Sequence, residues 1–171
     1  MLDWATGRTL PCVTKWLTAG EQQAWRSWLA MRTLLEDQLN RELQELHGLS
    51  LADYEILVRL SEAPERRLRM SDLAAATLAS RSRLSHQIDR LESAGIVQRM
   101  TCSEDRRGSF AVLTDHGWQT LVAAAPDHVA GVRRHFVDIL GSKAFTNLGQ
   151  QCAEVAGRLC TRSASSQQEA S

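Results

Sequence analysis

The sequence predicts a mostly α-helical chain with one small β-hairpin, on three observations. Apolar residues recur at helical spacing over long stretches toward both ends of the chain. Shorter helical segments with recognisable starts and stops lie between them. One stretch, 96–113, changes period: Ile96–Met100 and Ser109–Leu113 read as strands around a polar loop that ends in Gly108.

The elements follow in order. Residues 1–19, with Gly7 and Pro11, read as an arm or short helix. From Glu21 to about His47, Trp25, Trp28, Leu29, Leu35, Leu39, Leu43 and Leu46 define one long amphipathic helix that Gly48 stops. Ser50 and Asp53 have capping-box spacing and open a helix that ends near Pro64. Ser71 is the expected cap of a short Ala-rich helix over Asp72–Leu78, and Ser80 opens another that runs to Ala94 before Gly95. After the hairpin, Thr114 caps a long helix that Pro126 is expected to kink or break. A segment over about 127–140 and a last helix over 142–160 precede a tail, 161–171, whose polar composition predicts disorder.

A short helix, a tight turn and an N-capped second helix form a helix-turn-helix, and the hairpin directly behind supplies a wing. In the helix from Ser80 to Ala94, Leu84, Ile88 and Leu91 share one stripe and face a core. The opposite arc presents Ser82, Ser85, His86, Asp89 and Arg90, with Arg83 on its flank. Hydroxyl, imidazole and guanidinium groups donate to base edges and phosphates, and a helix fits the major groove. On an isolated helix such an arc is more often a solvated face; its place in a helix-turn-helix favours contact with DNA. The wing tip carries Asp105, Arg106 and Arg107. An arginine there can enter a narrow minor groove, and Asp105 can hold Arg107 in a bidentate pair.

Charge agrees with this placement. The 171 residues carry 20 basic and 20 acidic side chains, yet their distribution is uneven. Residues 1–58 hold five basic and eight acidic groups, whereas 59–110 hold ten arginines and seven acids, so positive charge collects where a polyanion would bind. Hydrophobic content of 43% suffices for a core. No apolar run reaches the roughly 20 residues of a membrane span, and the start shows no secretory pattern, so a cytoplasmic protein without membrane contact is expected.

RMSDLA, SRSRLSHQIDRLESAGIVQR, the EDRRG wing and LTDHG together resemble the signature of the MarR (multiple-antibiotic-resistance regulator) family, most strongly over 50–117. The resemblance implies a winged helix-turn-helix core flanked by long N- and C-terminal dimerisation helices. It divides the chain into 1–48 (arm and dimerisation helix), 49–117 (DNA-binding lobe), 118–160 (dimerisation helices) and the tail 161–171. It implies a homodimeric, sequence-specific transcription regulator, a ligand-responsive repressor on an inverted-repeat operator. The resemblance implies that the helix at 80–94 lies in the major groove and that Asp105 and Arg107 fill the family's aspartate-x-arginine wing positions. With the helix arc and wing tip read above, the candidate DNA-contacting residues are Ser82, Arg83, Ser85, His86, Arg90, Asp105, Arg106 and Arg107. Its partners would be double-stranded DNA, a second copy of itself and a small aromatic effector. The alternatives are a thiol-redox-responsive regulator, or a winged-helix protein-interaction module with no DNA role.

Other chemistries find less support. No G-x-S-x-G, P-loop or dinucleotide-binding fingerprint is present, so no enzyme is expected. Cys12, Cys102, Cys152 and Cys160 lack CxxC spacing, and the five histidines lack HExxH pairing; neither metal nor cofactor is expected. Cys152 and Cys160 are expected to be buried packing residues. Trp16, Trp25, Trp28 and Tyr54 could line an aromatic pocket, but at helical spacing they more often form core.

Overall fold

A computed structural model describes residues 14–101 and 109–168, with side-chain burial through Cys160. The expected arm up to residue 13, the wing tip at 102–108 and the end of the tail lie outside the described residues. The elements are α1 (Ala19–His47), α2 (Leu51–Glu62), β1 (Arg67–Arg69), α3 (Met70–Ala76), α4 (Arg81–Ser93), β2 (Val97–Thr101), β3 (Ser109–Leu113), α5 (Asp115–Val132), a π-helical turn (Arg133–Val137), α6 (Asp138–Leu140) and α7 (Ser142–Gln168). The chain is thus mostly helical with one small sheet. Packing divides it into two units, Met1–Leu34 and Leu35–Ser171.

The first unit contains the start of α1. Thr18 and Glu21 cap it reciprocally: Glu21 donates its N–H to Thr18 Oγ1 at 3.2 Å, and Thr18 donates its N–H to Glu21 Oε2 at 2.7 Å. Hydrogen bonds from Thr18, that of its backbone N–H first, hold the Glu21 carboxyl below its usual range. Trp25 and Trp28 stack with ring centroids 5.2 Å apart, and the Arg32 guanidinium lies 5.7 Å from the Trp28 ring. Trp16, Trp25, Trp28, Leu29 and Leu34 are all exposed.

In the second unit one core joins α2, α3, α4, the sheet and α5, and Leu43 of α1 belongs to it. Leu57, Leu60, Leu73, Ile88 and Ala111 are completely buried. Gly48 takes φ +67°, the left-handed conformation that ends a helix, and α1 stops one residue earlier. Ser50 forms the capping box with Asp53 that opens α2. The sheet is antiparallel in the order β1-β3-β2, with Ala111 of β3 opposite Leu68 on one side and Arg99 on the other.

Several sequence expectations change. The sheet has three strands rather than two, because β1 pairs with β3; three residues are too few to show alternation in sequence. That strand leads straight into α3, which therefore begins at Met70 without a side-chain cap, and Ser71 bonds Asp72 instead. The helix ends at Ala76, and Leu78 takes a positive φ of 52° in the turn before α4.

Pro126 does not break α5, which runs through it to Val132. Leu121, Ala124 and Gly131 are buried on both sides of the proline and hold the helix to its neighbours. Val122, whose carbonyl loses its i+4 donor, is exposed and open to water. Finally, α7 extends to Gln168, through most of the segment expected to be disordered; residues 161–168 contain neither Gly nor Pro to stop it. Among the described residues, no helix is long and apolar enough to cross a membrane.

Candidate nucleic-acid interface

Helix α4 is set by its own sequence and by two neighbours. Ser80 caps it by accepting the Arg83 N–H at 3.3 Å. Leu84, Ile88 and Leu91 are buried in the core, as their spacing requires. On one flank, Arg90 reaches α2, where its Nη2 donates to Asp53 Oδ1. Asp53 is the buried charged residue of the described core, and its other oxygen accepts from the Ser50 N–H at 3.0 Å and the Ser50 hydroxyl at 2.6 Å. On the other flank, Arg99 of β2 donates to the Ser85 carbonyl at 3.0 Å and to Ser85 Oγ at 3.2 Å, and lies 2.6 Å from Asp89 Oδ1.

These contacts sort the predicted site residues. Ser82, Arg83 and His86 are exposed together on the first two turns of α4, and Arg81 joins them. Ser85 is half-buried against Arg99, and Arg90, although largely exposed, is engaged by Asp53. Asp105, Arg106 and Arg107 lie outside the described residues. The exposed group sits where the backbone N–H groups and positive dipole end of α4 favour a phosphate, and where arginine can bind an anion bidentately.

Sequence reasoning missed Asp53 and Arg99. In the sequence, Asp53 shows only as half of a capping box. Arg99 had a visible signal, since strand alternation puts it on the same face as buried Val97, an inward position where an arginine must find acceptors.

A second feature lies between α1 and α5. A cavity of about 10 Å³, about the room of a single water, is lined by Leu39, Glu42, Leu43, Leu46, His47, Asp127 and His128. His47 Nε2 lies 2.9 Å from Asp127, and His135 Nε2 lies 2.7 Å from Glu42. Bonds from Gln38 first, then His135, hold the Glu42 carboxyl below its usual range. His128 packs its ring on Tyr54 at 4.3 Å; its Nδ1 is buried without a hydrogen-bond partner, and burial lowers its pKa. Neither Tyr54 nor Trp16, Trp25 or Trp28 lines this cavity. Cys152 and Cys160, expected to be buried, are both exposed on α7. Among the described residues, no three His, Cys, Asp or Glu side chains are placed to hold a metal.

Comparison with known proteins places this geometry. A sequence model of the MarR family matches residues 49–109, from the start of α2 to the return strand of the wing. Over 86% of the chain and 99% of the other, the structure matches AbsC from Streptomyces coelicolor, a MarR family transcriptional regulator, with a TM-score of 0.81 and 53% identity. The chain belongs to the MarR family. Another member, Sco3205 of the same organism, was solved in complex with DNA; it is 46% identical, with a TM-score of 0.81 over 84% of this chain and 90% of that one. The transcriptional regulator PecS of Dickeya dadantii (strain 3937) is 31% identical over 107 residues, which make up 61% of this chain and 64% of PecS. Within the MarR fold, α3 and α4 are the helix-turn-helix and β2–β3 is the wing.

Proposed function

We propose that this MarR-family chain is a cytoplasmic, sequence-specific DNA-binding transcription regulator that acts as a homodimer on an inverted-repeat operator. The observation that carries the proposal is α4 itself. It is a capped helix anchored on both flanks, with Arg81, Ser82, Arg83 and His86 exposed together, in a chain 46% identical to a relative captured on DNA. Residues 49–117 then form the DNA-binding lobe, while 1–48 and 118–160 supply dimerisation helices. Asp105, Arg106 and Arg107 are assigned to the wing tip through the family resemblance. AbsC and PecS are transcriptional regulators, and this chain is assigned the same kind of role, binding without a catalytic step.

The test is selection of bound sequences from a random duplex pool, by wild type and by His86→Ala. A direct base contact predicts an inverted-repeat consensus for the wild type and an altered base preference at one position per half-site for the variant. An identical consensus would remove His86 from base reading; no consensus at all would remove the function.

Repression relieved by a small aromatic effector is the regulatory reading we favour from the family resemblance. The cavity beside His128 is too small for an aromatic ring as it stands, so effector binding there requires α1 and α5 to separate. Exposure of Cys152 and Cys160 supports thiol oxidation as the second reading. Replacing all four cysteines by Ser separates the two: operator release by peroxide that vanishes in this variant establishes the thiol route.

A further inference from the structure

The contacts of Arg99 point to a role beyond filling a strand position. Its backbone N–H donates to Glu92 Oε1 at 2.9 Å, and its guanidinium spans the Ser85 carbonyl and the Asp89 carboxylate. Ser85, Asp89 and Glu92 are spaced i, i+4 and i+7, so one strand residue grips successive turns along one face of α4. The side chain is about two-thirds buried, 31% exposed, so its contacts are partly shielded from water. β2 is an edge of the sheet, and Glu92 covers an outward N–H of that edge.

The chemistry requires arginine. A planar guanidinium offers five donors in a fixed fork and can satisfy a carbonyl and a carboxylate one turn apart at the same time. A lysine ammonium is a point charge on a flexible stem and would hold one of them.

We infer that Arg99 is a positioning residue for DNA reading, one that locks the recognition helix to the wing sheet at a set angle. This inference rests on the DNA-binding function proposed above. Ser82, Arg83 and His86 project from the first two turns of α4, where Arg99 holds Ser85, and its contacts with Asp89 and Glu92 fix the turns that follow. A rigid α4 presents them at one orientation to the base edges, whereas a loosened helix still attracts phosphate but reads bases poorly. Arg99 thus contributes to discrimination more than to attraction, although it touches no base.

The experiment uses the full-length chain with Arg99→Ala, Arg99→Lys, His86→Ala and the Arg99→Ala/His86→Ala double variant. Binding is titrated on the selected operator and on a scrambled duplex, with protein concentrations corrected for the folded fraction. The expected result is a ratio of operator to scrambled affinity reduced about tenfold or more by Arg99→Ala, with scrambled binding changed less than threefold. Arg99→Lys recovers thermal stability but only part of the ratio. His86→Ala costs less in the Arg99→Ala background than in the wild type, because a helix free to swing has already lost that contact.

Amide exchange on the free protein provides a readout independent of DNA. Arg99→Ala is expected to speed exchange in β2 and in α4 around Ser85–Glu92, leaving α2 unchanged. An unchanged affinity ratio, an unchanged His86 penalty, or unchanged exchange at these amides each overturns the positioning role. A wild type that selects no DNA sequence while Arg99→Ala still loosens α4 refutes the DNA function itself and leaves the clamp a purely structural contact.

Discussion

At the scale of single residues, the molecule invests its buried polar groups in orientation. Asp53 closes the α2 capping box and receives Arg90 from α4, so one carboxylate both starts a helix and holds its neighbour. Arg90 therefore ties α4 to α2 while its side chain stays largely exposed. His128 is different: its Nδ1 is buried without a partner, and burial favours the neutral ring. A histidine whose folded pKa lies below its ordinary value binds protons more readily once unfolded, so acidification favours the unfolded chain. Its contribution to stability is complete above the ordinary histidine pKa and is lost as pH falls from there through the lowered folded value. Urea midpoints of wild type and His128→Phe, compared at pH 7.5 and 5.5, test this. The wild type is expected to lose more stability over that interval, since phenylalanine keeps a ring against Tyr54 and carries no proton. Equal losses would show that the half-buried ring does not titrate in this way.

At the scale of elements, two positions test how α5 is held. The Gly117 N–H donates to Thr114 Oγ1 at 2.9 Å, while the threonine hydroxyl donates to the carbonyls of Gly95 and Ile96. A Cβ at Gly117 would stand 2.1 Å from the Ile96 carbonyl oxygen and 2.7 Å from Leu113 Cδ1, and backbone there cannot yield cheaply. Gly117→Ala is expected to destabilise the lobe by about 3 kcal/mol, the upper part of the usual range for overpacking, read as a lowered urea midpoint. A loss below about 0.5 kcal/mol would mean that the junction of α5 with the β2 turn is looser than these distances require.

Pro126 makes the opposite prediction. The helix passes through it, so the proline costs a hydrogen bond and crowds the preceding turn without ending the element. Pro126→Ala is expected to stabilise the protein by about 1–3 kcal/mol, because alanine restores the donor to the Val122 carbonyl and the exposed ring gives up little packing. No gain, or a loss, would mean that the proline packs against something these helices do not supply, such as a second subunit.

At the scale of the whole molecule, the exposed apolar surface governs association. In the first unit Trp25, Trp28, Leu29 and Leu34 are exposed; in the C-terminal helices Val129, Ile139, Leu140, Val155 and Leu159 are exposed. Burying each such side chain fully is worth about 1.5–3 kcal/mol, so both surfaces favour association. The two-fold dimer proposed above would bury both surfaces and would place two α4 helices on one face of a duplex. Sedimentation at low micromolar concentration is expected to give twice the 19.1 kDa chain mass, and Leu159→Arg combined with Ile139→Arg to give monomers with little specific DNA binding. The footprint is expected to cover two half-sites about 10 base pairs apart, centre to centre, or a multiple of this. A wild-type monomer, or protection of a single half-site, would refute the arrangement.

The sequence by itself determined the helical class, the capping box at Ser50, the buried stripe of Leu84, Ile88 and Leu91, and the exposed group of Ser82, Arg83 and His86. Each depends on period or on partners within a few residues, which sequence records directly. Only the tertiary structure decided that Arg90 belongs to Asp53, that Arg99 grips Ser85 and Asp89, that β1 joins the sheet and that α5 survives Pro126. Arg90 and Asp53 lie 37 positions apart, and Arg99 and Ser85 lie 14 apart, so no local pattern pairs them. β1 exists because β3 offers it an edge, and α5 continues because buried residues on both sides of Pro126 outweigh one lost hydrogen bond. These four features come from contacts between elements, whose free energy depends on which surfaces meet in space and not on the order of residues along either one.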